Sequence, residues 1–128
     1  MSEQIRESPT LEQRINETYD ETHICFTELE YCLAVPLKRN AKNAAGFYHQ
    51  YFSAWKYFHL LFHLTYNESE IRKKLGADEG PEWMEMINFF GRSLEGNGPN
   101  LHIAKQMIRL WKKYDRLLRT GAIISMRS

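Results

Sequence analysis

Apolar positions recur at threes and fours along the whole chain, and no segment alternates with a period of two, so the sequence predicts helices throughout. Leu11, Ile15, Tyr19, Thr22, Phe26, Leu29 and Leu33 form one stripe, with Glu17, Asp20, Glu21 and Glu28 on the opposite side. This first helix is expected to start near Ser8, Pro9 or Thr10, where Thr10 and Gln13 make a capping-box pattern. Pro36 ends it, because proline disfavours a helical residue before it.

A second helix is expected from about Asn40 to Tyr66. It carries Phe47, Tyr51, Trp55, Phe58 and Phe62 on one face, and Leu60, Leu61 and Leu64 extend the apolar cover. Apolar residues occupy most of its circumference, which marks the central member of a bundle. Asn67 and Glu70 give a second capping-box pattern, and Ile71, Leu75 and a terminal Gly76 follow, so a short helix is expected at about 68–75. After a loop at 76–80, Pro81 opens a helix with Trp83, Met86, Ile87, Phe90 and Leu94 on one side. Gly96, Asn97 and Gly98 make a turn, and Pro99 is expected to begin the last helix. The predicted fold is all-α: a compact four-helix bundle with one short additional helix.

Length agrees with that reading. A chain of 128 residues fits a single domain over residues 1–128. It can bury about two-thirds of its unfolded surface, enough for a core without metal or disulfide staples. Fraying is expected only at 1–7 and 124–128. Cys25 and Cys32 stand two helical turns apart, about 10 Å, beyond the reach of a disulfide, and read as small hydrophobes in a reducing compartment. No charged-then-apolar leader and no run of about 18 apolar residues occurs, so a cytoplasmic protein with no membrane attachment is expected.

Charge changes the picture most. Residues 1–35 hold eight acids against Arg6 and Arg14, whereas residues 99–128 hold seven bases against Asp115 alone. The formal net charge of +1 therefore conceals a polarised chain. On residues 99–121, Ile103, Met107, Leu110, Trp111, Tyr114, Leu117 and Leu118 share the apolar face. Opposite them stand Lys105, Arg109, Lys112, Arg116 and Arg119, with His102 and Lys113 at the margin. Three uses of that basic face compete. It is a solvated surface partly neutralised by the acidic first helix, a phosphate-contacting surface for nucleic acid, or a surface for an acidic protein, a second copy of this chain included. Attachment to a membrane surface is disfavoured because the core needs the apolar face.

Candidate chemistry elsewhere is sparse. His59 and His63 are spaced i, i+4, the placement a metal pair needs, with Asp20 and His23 or Glu28 as third-ligand candidates. No H-E-x-x-H or paired E-x-x-H motif accompanies them, so neither a metal nor a cofactor is assigned. A secondary polar stripe, His49, Ser53, Lys56 and His63, with Lys38 and Lys42 extending it, is either plain exposure or an anion-binding or acid–base groove. No G-x-S-x-G, no Walker-type loop and no catalytic cysteine pairing occurs. The stretch 44–62 resembles the aromatic-rich helix of small all-α HEPN domains, which include ribonucleases with an arginine four to six residues before a histidine. Here Arg39 and His49, and Arg92 and His102, each have nine residues between, so no residue role carries across.

The expected function is non-enzymatic: a small accessory or adaptor protein whose last helix shows a basic face to nucleic acid or an acidic protein. A histidine-dependent nuclease or metal-dependent hydrolase and a self-associating structural protein are the alternatives, which leaves enzymatic activity open.

Overall fold

The computed structural model describes residues 10–34, 41–76, 80–95, 98 and 100–124, of which 41–45 by backbone only. Five helices and no strand occur among them: α1 (Leu11–Ala34), α2 (Ala41–Tyr66), α3 (Ser69–Leu75), α4 (Gly80–Arg92) and α5 (Leu101–Thr120). This is the expected all-α bundle with a short extra helix.

The start of α1 follows from its cap. Thr10 Oγ1 accepts from Gln13 N at 3.1 Å while Gln13 Oε1 accepts from Thr10 N at 2.9 Å, so two otherwise orphaned amides are satisfied reciprocally. At α5 the helix starts two residues later than expected. Asn100 Oδ1 accepts from Ile103 N at 2.8 Å, so the helix begins at Leu101 and Pro99 precedes the cap. The box expected from Asn67 and Glu70 does not form. Glu68 occupies the cap position of α3 with no side-chain bond, because the turn leaving α2 uses Asn67 N and Glu68 N on His63 O and Thr65 O. Gly76 closes α3 with a left-handed φ of 62°, as a terminal glycine should. The turn at Gly96 and Asn97, and Pro36, lie outside the described residues.

The core is aromatic and joins three helices at a time. Trp111 of α5 stacks on Phe26 of α1 (centroids 5.3 Å, planes 13° apart) and meets Phe58 of α2 edge-on at 5.6 Å. A second cluster sets Phe62 of α2 against Tyr114 of α5 (5.4 Å) and Trp83 of α4 (6.3 Å). Such pairs add about 0.5–1.5 kcal/mol each beyond the area they bury.

Between α2 and α4 the contact is also polar. Tyr48, Tyr51 and Trp55 recur at threes and fours on α2, and each donates to a backbone carbonyl: Leu94 O (3.1 Å), Phe90 O (2.8 Å) and Ile87 O (2.8 Å). Gly91 allows this approach, since a Cβ there would lie 2.5 Å from the Trp55 ring.

Helix α2 touches all four other helices, as its apolar girth suggests, but α5 does so as well. Phe52 and Leu60 of α2 are exposed, as is Tyr48 although its hydroxyl is bonded to Leu94 O. Ile124, assigned by the sequence to a frayed tail, is buried in the core, and 125–128 lie outside the described residues. Cys25 is buried and Cys32 half-buried, both as free thiols. Among the described residues, no helix is long and apolar enough to cross a membrane.

One part-buried polar lock spans α1 and α5. The Tyr19 hydroxyl donates to Asp115 Oδ1 at 2.7 Å and accepts from Arg119 Nη2 at 2.7 Å. Burial pushes the Tyr19 phenol up to about 12 and Asp115 adds to the rise, with Arg119 opposing it in part. An unfolded tyrosine ionises near pH 10. The folded chain therefore holds this proton over a range in which the unfolded chain has lost it. Its contribution to stability is complete below about pH 10 and disappears as pH rises towards about 12. Burial also raises Tyr51 and Tyr114, in the same direction. Urea unfolding across that range should show falling stability, with a shallower fall for Tyr19→Phe. Equal slopes for the two proteins would contradict the role of Tyr19.

Candidate binding surface

Helix α5 divides as its sequence suggests. Ala104, Met107, Leu110, Trp111, Tyr114 and Leu118 are buried, and His102, Lys105, Arg109, Lys112, Lys113, Arg116 and Arg119 are all exposed. Their environments separate them into a rim facing α1, a central row and a rim facing α4.

On the α1 rim the charge is used internally. Lys112 Nζ pairs with Glu30 at 2.9 Å, and Arg119 Nε pairs with Asp115 at 3.0 Å while its other nitrogen reaches Tyr19. In the central row, Lys105, Arg109 and Arg116 have no carboxylate within 4 Å among the described residues. They recur at i, i+4 and i+11, so their side chains leave one side of the helix. On the α4 rim, Lys113 Nζ lies 5.6 Å above the Trp83 ring, a cation–π placement without a partner carboxylate among the described residues.

The acidic helix does not cancel this face. Helix α1 packs on the bundle through Ile15, Tyr19, Thr22, Phe26 and Leu29, which sends Glu17, Glu21 and Glu28 outward. Glu30 is the α1 carboxylate that reaches a base of α5, and Glu28 accepts instead from Gln50 Nε2 at 2.9 Å. Opposite charges thus stand on neighbouring helices with their faces mostly turned apart.

Between α4 and α5 lies a groove of about 730 Å³. Met86, Phe89, Phe90 and Leu110 give it an apolar floor. Glu82 and Glu85 line its α4 side, while Arg109 and Lys113 line its α5 side and Arg92 joins them. Met86 and Phe89 are both exposed, so apolar area borders the charged walls of the groove. The charge pattern of the last helix did not disclose this groove. The signal was there in Glu82, Met86 and Phe89, which at i, i+4 and i+7 share one side of α4.

The other candidates separate less clearly from plain surface. On α2, His49 and Lys56 are exposed, Ser53 and His63 half-buried, and Lys56 Nζ sits 5.5 Å from the Tyr57 ring. Lys38 lies outside the described residues, as does the side chain of Lys42. His59 and His63 do meet, with ring centroids 4.5 Å apart, and Trp55 flanks His59 at 5.1 Å. Burial lowers the pKa of His59, and His63 lowers it further. His23 contacts Tyr19 on α1 at 6.0 Å, and among the described residues no three His, Cys, Asp or Glu side chains converge as a metal site requires.

No family model matches the chain, and neither a curated protein nor a solved structure matches it. The likeness of residues 44–62 to a HEPN helix accordingly carries no family assignment.

Proposed function

We propose that this chain is a small non-enzymatic binding protein that offers the outward cations of α5 to an acidic protein surface. One observation carries the reading. Lys105, Arg109, Lys113 and Arg116 are exposed and lack carboxylate partners among the described residues, although an acidic helix packs beside them. Helix-dipole compensation needs only the cations of the last turn. Four further charges held together cost self-repulsion, which an anionic partner relieves.

An acidic protein suits the surface better than nucleic acid. The chain's net charge is only +1, well short of the basic balance of nucleic-acid-binding domains. The exposed Met86 and Phe89 add apolar area of the kind protein partners cover.

The test pairs Arg109→Glu with Arg116→Glu and measures binding to polyglutamate and to duplex DNA across a salt series. The natural chain should bind polyglutamate with an affinity that falls as salt rises. The double variant should lose about tenfold or more while keeping its helical circular dichroism. Unchanged affinity in the variant would refute the surface, and tighter binding of DNA than of polyglutamate would move the partner to nucleic acid.

A further inference from the structure

We infer that the acidic surface taken by α5 and its groove is the outward face of α1 on a second copy of the chain. This rests on the reading of α5 as a docking surface and names its partner. The outward side of α1 has the required chemistry, although Glu28 on it is bonded across to Gln50. Glu17, Glu21 and Glu28 stand on it around Ile24 and Tyr31, and the sole base within α1 is Arg14. Ile24 is 49% exposed and Tyr31 71%, the most exposed of the large hydrophobic side chains among the described residues.

The two faces match in chemistry and in length. Glu17 to Tyr31 is fourteen helical steps along α1, about 21 Å at 1.5 Å per step, and His102 to Arg116 is the same on α5. Acids on the first face meet uncompensated bases on the second. Ile24 and Tyr31 have a counterpart in Met86 and Phe89, whose groove is otherwise open to water. Tyrosine anchors of this kind, seated in an apolar pocket and ringed by charge, carry much of the energy of protein interfaces. Nucleic acid would satisfy the cations and leave both apolar patches exposed.

Within one molecule the two faces cannot meet, because the inward side of α1 is held on the bundle by Phe26 against Trp111 and Phe58. Docking therefore needs another copy. Reciprocal exchange would close a pair, and one-way docking would propagate a chain of copies.

Sedimentation of the full chain tests this at about 0.1 M and about 1 M salt, between which the Debye length falls from about 10 to about 3 Å. The natural chain should self-associate at the lower salt and weaken at the higher. Glu17→Lys with Glu21→Lys should raise the dissociation constant about tenfold or more, as should Arg109→Glu with Arg116→Glu. An equimolar mixture of the two variants should associate again, since the intact basic α5 of the first meets the intact acidic α1 of the second, and the two reversed faces also carry opposite charge. A natural chain that stays monomeric at low salt overturns the inference, as does a mixture that stays monomeric while each variant folds. If the chain is monomeric but its polyglutamate binding still depends on Arg109 and Arg116, the docking surface stands and only its partner is wrong. If neither is seen, both fall.

Discussion

Replacing Trp111 with alanine is expected to destabilise the fold by about 3–5 kcal/mol, the usual cost of deleting a buried tryptophan. The indole is 3% exposed and meets Phe26, Tyr19 and Phe58, with centroids 5.3, 5.8 and 5.6 Å away. Those rings come from α1 and α2, so one side chain of α5 fastens the acidic helix, the aromatic helix and the basic helix together. Neighbouring rings cannot close the space, because Phe58 is itself held against Phe26 and Tyr114. Domains of this size are stable by about 5–15 kcal/mol, so the variant should lose a large part of its stability. Urea denaturation should show a much lower midpoint with an unchanged slope. A loss below about 1 kcal/mol would mean that Trp111 does not join the three helices.

A second large effect is expected at the bond between Thr65 and Tyr114. Both side chains are fully buried, and their hydroxyls are bonded to one another while Thr65 also donates to Leu61 O at 2.8 Å. Thr65→Val keeps the shape and strands the Tyr114 hydroxyl in the core. The expected cost is about 1–3 kcal/mol, the penalty for an unsatisfied buried polar group. Tyr114→Phe in the same background removes the stranded group, so the double variant should be more stable than Thr65→Val alone. Simple additivity of the two substitutions would show that the hydroxyls do not act as a pair.

The local features were legible in the sequence because neighbouring residues decide them. The reciprocal cap at Thr10 and Gln13, the glycine cap at Gly76, the stripe of α1 and the two-sided division of α5 each depend on spacing within a few turns. The box at Asn67 and Glu70 failed because the exit of α2 fixed the register of the short helix, moving its start to Ser69. Periodicity marked Phe52 and Leu60 as apolar but carried no information on whether another helix covers them.

The candidate surface was legible to the same extent. All seven residues of the basic face lie where the spacing put them. Hidden from the sequence was the employment of two of them, Lys112 with Glu30 and Arg119 with Tyr19, pairs separated by 82 and 100 positions. The groove was hidden for the same reason, since its two walls come from different helices. Charge sorted along the chain therefore showed that a polarised protein was to be expected. Only the packing of α1 against α5 showed that most of the two charged faces turn outward.

The most direct test of that outward polarity is to map backbone amide shifts of the full natural chain by NMR as protein concentration rises at low salt. Concentration-dependent shifts should gather at Lys105, Arg109, Lys113 and Arg116, at Met86 and Phe89, and at Ile24 and Tyr31, leaving the buried face of α5 still. A spectrum that does not change with concentration, or shifts that gather on the exposed side of α2 at Phe52 and Leu60, would contradict docking between the two charged faces.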